Sequence, residues 1–163
     1  MRVTLNRINR KVHLRAVNAA GNTVDVDGAE HVGGENLGFR PMQLLLAAAG
    51  SCVSMDLIPI LAKQRQELHD IQVTVDGKRA EGVVPSPFTE ITIHFDLVGR
   101  IDPEKARRAI ELALYKYCSV EAMFRHSVDI GYSFAINPAE RGRSDLVQRR
   151  TRPQTIPAEE ANA

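Results

Sequence analysis

Two cysteines, Cys52 and Cys118, are the residues of this 163-residue chain best equipped for chemistry. A thiolate is a strong nucleophile, and its first oxidation product, a sulfenic acid, condenses with a second thiol to a disulfide. The pair therefore predicts thiol–disulfide chemistry, with one sulfur attacking and the other resolving. Cys52 sits among Ala47, Ala48, Ala49, Gly50, Ser51 and Ser54, side chains small enough to let a substrate or a neighbouring backbone reach the sulfur. The competing reading is a buried, inert thiol, the ordinary state of a free cysteine.

A reactive Cys52 needs help, because its helical neighbours one turn away are Ala48, Ala49, Met55 and Asp56. Asp56 on its own disfavours the thiolate. An arginine from elsewhere has to offset it. Arg40 just before the helix, Arg79 on the strand after it, or an arginine from the N-terminal strands of a second subunit are the candidates, with Asp56 as a residue that could hold that arginine. Other chemistries find little support. His13, His31, His69, His94 and His126 show no close ligand spacing with either cysteine, so no metal is expected. Gly33-Gly34-Glu-Asn-Leu-Gly38 lacks the Gly-Lys-Ser/Thr ending of a phosphate loop, and no Gly-x-Ser-x-Gly occurs. No cofactor is implied.

The element that must position Cys52 starts at Pro41, a residue suited to the first turn of a helix. It is expected to run to about Glu67, with a kink near Pro59. From Leu44 to Ala62 only Asp56 is charged, so the helix is apolar on every side and has to be buried. Its length admits a membrane span. Asp56 and Pro59 inside the run, and the absence of a companion segment, argue for a core helix instead.

Around it, Val3–Arg7, Val12–Val17 and Thr23–Asp27 alternate apolar and polar residues and read as three short strands. Ile71, Val73 and Val75 mark a fourth strand. Ile91, Ile93, Phe95 and Leu97 form the inner row of a fifth, with Thr92, His94 and Asp96 as its outer row. Asp102-Pro103-Glu104 opens a second helix through Tyr117. Ser119 can cap a short third helix to about Arg125. Val128 to Ile136 alternates as a last strand. Strands that pair antiparallel with helices packed on them give an α+β class. One small chain can hardly cover the Pro41 helix on all sides, which predicts an obligate homodimer with that helix near the centre of a shared core.

Hydrophobic residues make up 44% and the formal net charge is +1, so a real core is expected and no general affinity for nucleic acid or anionic membrane. No secretory signal precedes Met1-Arg-Val-Thr-Leu, from which a cytoplasmic setting with reduced thiols is expected. Residues 1–137 read as one domain. From Pro138 periodicity is lost, and 138–163 reads as a polar, Arg-containing tail, disordered or laid on a partner subunit.

Gly38-Phe-Arg-Pro-Met-Gln-Leu-Leu-Leu-Ala-Ala-Ala-Gly-Ser-Cys52 and Arg108-Ala-Ile-Glu-Leu-Ala-Leu-Tyr-Lys-Tyr-Cys118-Ser-Val-Glu-Ala-Met resemble the paired signatures of the OsmC/Ohr family, the osmotically inducible protein C and organic hydroperoxide resistance proteins. The resemblance covers roughly Val3 to Ile136. It implies an intertwined α+β homodimer with two sites at the interface, and thiol-dependent reduction of hydroperoxides, restored by a dithiol reductant. By position Cys52 is similar to the peroxidatic cysteine and Cys118 to the resolving one. Family members place a glutamate near the helix start that holds the catalytic arginine. Here Met42 and Gln43 follow Pro41, without a carboxylate. Gln43 can hydrogen-bond an arginine or a substrate but brings no charge. The alternative this departure raises is a non-catalytic dimeric protein on the same scaffold that binds a small molecule or senses redox state.

Overall fold

The computed structural model of the protein describes residues 1–139 and 148–149. Three short strands come first: β1 (Val3–Arg7), β2 (Leu14–Asn18) and β3 (Thr23–Val26), an antiparallel sheet in the order β1-β2-β3. A hydrogen bond from Gly21 N–H to Asn18 O closes the β2–β3 turn, and Gly21 takes the left-handed conformation that the turn needs. A loop with one 3-10 turn (Glu30–Val32) leads to α1 (Pro41–Lys63). Asp27 fixes this loop. Its carboxylate, buried with the residue, accepts backbone N–H bonds from Gly28, Glu35 and Leu37, and these, Leu37 first, hold its pKa below the usual range.

The helix α1 ends at Lys63, four residues short of the expected Glu67. Arg65 adopts the left-handed conformation and the Gln66 N–H reaches back to Leu61 O, the pattern that usually carries a glycine at Arg65's position. Lys63-Gln-Arg-Gln-Glu holds neither glycine nor proline, so no local stop signal marks that end. Pro59 lies within the continuous helix.

The second sheet follows in the order β4-β5-β6-β7. Its members are β4 (Glu67–Arg79), β5 (Phe88–Arg100), β6 (Asp129–Ile136) and β7 (Gln148–Arg149). The two long strands pair antiparallel. Between β5 and β6 lie α2 (Pro103–Leu112), a single π-helical turn (Ala113–Tyr117) and α3 (Ser119–Phe124). This helical crossover makes β6 run parallel to β5, where antiparallel pairing was expected. A connection carrying helices returns the chain to the same end of the sheet, and alternation alone does not reveal strand direction.

The core lies between the second sheet and the helices. Ile91, Ile93, Phe95 and Leu97 of β5 pack with Val53, Leu57 and Leu61 of α1 and Ala106, Ala109 and Ile110 of α2. Contact between α1 and β4 is close: a Cβ on Gly50 would stand 2.7 Å from a Val75 methyl. On one side α1 is uncovered by its own chain, with Met55 75% and Ile58 45% exposed. The tail is partly placed as well. β7 pairs with Gly131 and Tyr132, and Tyr132 Oη lies 2.7 Å from Gln148 Oε1. Residues 140–147 and 150–163 of the tail lie outside the described residues.

Candidate active site

Cys52 sits half-buried in the middle of α1 and packs against the hydrophobic core. Cys118 is buried where the π-helical turn ends. The turn is closed by the Cys118 N–H bonding to Ala113 O at 2.9 Å. Cys118, not Ser119 as expected, is the N-cap of α3, and its Sγ accepts the Glu121 N–H at 3.3 Å. A sulfur is a weak acceptor, so in this role the cysteine holds itself in place rather than strongly stabilising the helix.

The two thiols meet. Both are free, and the Cys52 sulfur is near enough to act on the Cys118 thiol. Burial, then the neighbouring Cys52 sulfur, push the Cys118 thiol up from 9.0 to about 11, against a lowering by the Glu121 N–H. At neutral pH Cys118 therefore keeps its proton. The arrangement suits two sulfurs that react in sequence, the more accessible one first.

The other candidates stand elsewhere. Gln43 Oε1 accepts the Arg40 N–H at 2.9 Å, which caps α1. Arg40 donates through Nη1 to Asp27 O and through Nη2 to Asn36 Oδ1, tying the loop to the helix start. From Gln43 to Cys52 is about 14 Å along the axis at 1.5 Å per residue, so neither reaches the Cys52 of its own chain. Arg79 is exposed and donates Nε–H to Ser86 O at 2.8 Å. Gly77 abuts Leu46 while Val75 abuts Gly50, so β4 carries Arg79 toward the start of α1, away from Cys52. Asp56 is half-buried one turn beyond Cys52, with no ion pair or hydrogen bond among the described residues. Among those residues no group of three His, Cys, Asp or Glu side chains is placed to hold a metal.

Several buried polar groups escaped the sequence reading. Glu121 is only 4% exposed and pairs with Arg125. On the second sheet His94 Nδ1 lies 2.8 Å from Ser133 Oγ and Nε2 lies 3.0 Å from Asp96 Oδ1, all three residues buried. Alternation placed His94 and Asp96 on the outer row correctly but carries no information on what covers that row.

The OsmC-like protein family model matches residues 33–133, a span that contains both cysteines and most of the second sheet. The chain belongs to the OsmC-like family. Protein YhfA of Escherichia coli strain K12 is 35% identical over 122 residues, covering 72% of this chain and 85% of that protein. The crystal structure of a hypothetical protein from Aquifex aeolicus VF5 is similar at 32% identity and a TM-score of 0.72, over 83% of this chain and 95% of the other. An organic hydroperoxide resistance protein from Elizabethkingia anophelis, solved with thiocyanate bound, has the same fold at 17% identity and a TM-score of 0.64, over 84% and 97%. The OsmC-like α1, among the described residues the one helix long and apolar enough to cross a membrane by length and composition, contributes Val53, Leu57 and Leu61 to the domain core.

Proposed function

We propose that this OsmC-like protein is a thiol peroxidase that reduces organic hydroperoxides, with Cys52 attacking and Cys118 resolving. The observation that carries the reading is the pair of neighbouring free thiols, one half-buried and one buried. The Cys52 thiolate attacks the distal peroxide oxygen. An S–O bond forms, the O–O bond breaks, and the alkoxide takes a proton and leaves as the alcohol. The Cys118 thiol then attacks the sulfenic sulfur, the S–O bond breaks, and hydroxide leaves with the thiol proton as water. The disulfide is returned to two thiols by a dithiol reductant, in a cytoplasmic setting. An organic hydroperoxide resistance protein among the structural neighbours supports the substrate class.

A homodimer belongs to the same proposal. The uncovered side of α1, with Leu45, Met55 and Ile58, is an apolar stripe beside the half-buried Cys52. Val3 and Leu5 of β1 are also more than half exposed. Apolar surface gathered in this way marks an interface, and a second copy would cover it. Stopped-flow oxidation of the reduced protein by cumene hydroperoxide tests the activity: Cys52 should react far faster than free cysteine, and equal rates would end the enzyme reading.

One observation favours the binding or sensing alternative. An open surface groove of about 550 Å³ lies at the start of α1, not beside Cys52, lined by Arg15, Asp25, Asn36, Leu37, Phe39 and Gln43 among others. Arg15 and Asp25 pair bidentately at its wall. Native mass spectrometry of freshly purified protein would show a retained small molecule if this reading holds. Its absence, with fast peroxide turnover, would remove it.

A further inference from the structure

The two sulfurs are neighbours, and both are free. Cys52 lies in the middle of α1, and Cys118 at the junction of the π-helical turn and α3. The helix α1 packs on both of those segments. Each sulfur is therefore carried by packed backbone, the condition under which a ligand set holds its geometry. Cys118 is pinned twice. Its own N–H bonds Ala113 O at 2.9 Å, and its Sγ accepts the Glu121 N–H at 3.3 Å. A hydrogen bond to sulfur favours the charged form, and the thiolate is the form that ligates metals.

The surroundings select among cations. Cys118 is 2% exposed and belongs to the apolar core, against which Cys52 also packs. Cys52 is the more accessible of the two. Magnesium and calcium need oxygen ligands, and zinc needs three or four protein ligands. Among the described residues no group of three His, Cys, Asp or Glu side chains is placed to hold such an ion. Cu(I) is different: it is soft, favours sulfur and accepts two ligands. A singly charged cation between two thiolates leaves one net negative charge, no more than a single ionised thiol carries. The Glu121 N–H already points at the sulfur that would share it.

We propose that Cys52 and Cys118 form a two-sulfur binding site for Cu(I). Each thiol binds as a thiolate, the two thiol protons pass to solvent, and copper stays in the +1 state throughout. The site needs the neighbouring thiols but not their reaction with peroxide, so it does not rest on the peroxidase reading.

The experiment titrates the reduced full-length protein, without oxygen, into the coloured complex of Cu(I) with bicinchoninate, and the loss of colour counts the copper withdrawn. Wild type should take one equivalent per chain. Cys52→Ser and Cys118→Ser should each take none. Serine at 118 keeps an acceptor for the Glu121 N–H, so the start of α3 stays capped. X-ray absorption at the copper edge of loaded wild type should show two sulfur neighbours, a reading of the ligand set that needs no substitution. Zn(II) offered from a chelating dye should stay with the dye. No copper withdrawn by wild type, a serine variant that still takes a full equivalent, or nitrogen or oxygen bound to the copper would overturn the site. Zinc taken as readily as copper would overturn its selectivity. Copper bound as expected, with Cys52 oxidised by cumene hydroperoxide no faster than free cysteine, would support this site and end the peroxidase reading alone.

Discussion

The two sulfurs have different roles because their surroundings differ. Cys118 is buried and its thiol titrates at about 11, so near neutral pH it remains protonated. Closure of the disulfide on an oxidised Cys52 needs that proton to leave, and should accelerate as pH rises toward 11, which rapid-quench mass spectrometry at a series of pH values can follow. Stability has the opposite trend. The folded pKa is raised, so the folded state holds the proton more tightly than the unfolded chain does. Its contribution is complete below about pH 9 and is lost as pH rises through 11, and the denaturation midpoint should fall across that window. Cys118→Ser should leave Cys52 oxidising but trapped as a sulfenic acid that dimedone labels, whereas the wild type should label weakly. The sequence made both cysteines legible as candidates, since types and flanking residues are local properties. Their meeting was not legible from types and flanking residues alone. Nor was the burial of Glu121, His94 and Asp96, which depends on what lies across from each side chain.

Elements were readable where their signals were local. Pro41 and Asp102-Pro103 mark helix starts because caps and first-turn prolines act within a few residues, and Asp102 accepts the Lys105 N–H as expected. The end of α1 was misplaced because Arg65 takes a backbone conformation that glycine usually signals. The π-helical turn before Cys118 had no sequence mark at all. Where α1 meets β4, Gly50 provides a test of close approach. In an exposed helix Gly→Ala stabilises by about 1 kcal/mol. Here the added methyl would stand 2.7 Å from Val75 Cγ2, a stiff β-branched side chain. Gly50→Ala should therefore destabilise the protein by ~1–3 kcal/mol, read from urea denaturation, and a rise in stability would show that the two elements separate easily.

For the molecule as a whole, the all-round apolar α1 and the exposure left by a single chain point to the same proposal. A charge in the stripe, Met55→Asp, should shift the mass measured by light scattering from twice 18.0 kDa to the single-chain value. The family and the α+β architecture were legible because two long motifs constrain them. The parallel β5–β6 pair and the added strand β7 were not, since both depend on how the chain returns rather than on local pattern. The most direct test of the proposed function is intact-mass analysis of the reduced protein after one equivalent of cumene hydroperoxide. The expected product is lighter by two hydrogens per chain, with a Cys52–Cys118 linkage in the peptide map and one equivalent of alcohol released. Both thiols remaining free and the peroxide unconsumed would contradict the account.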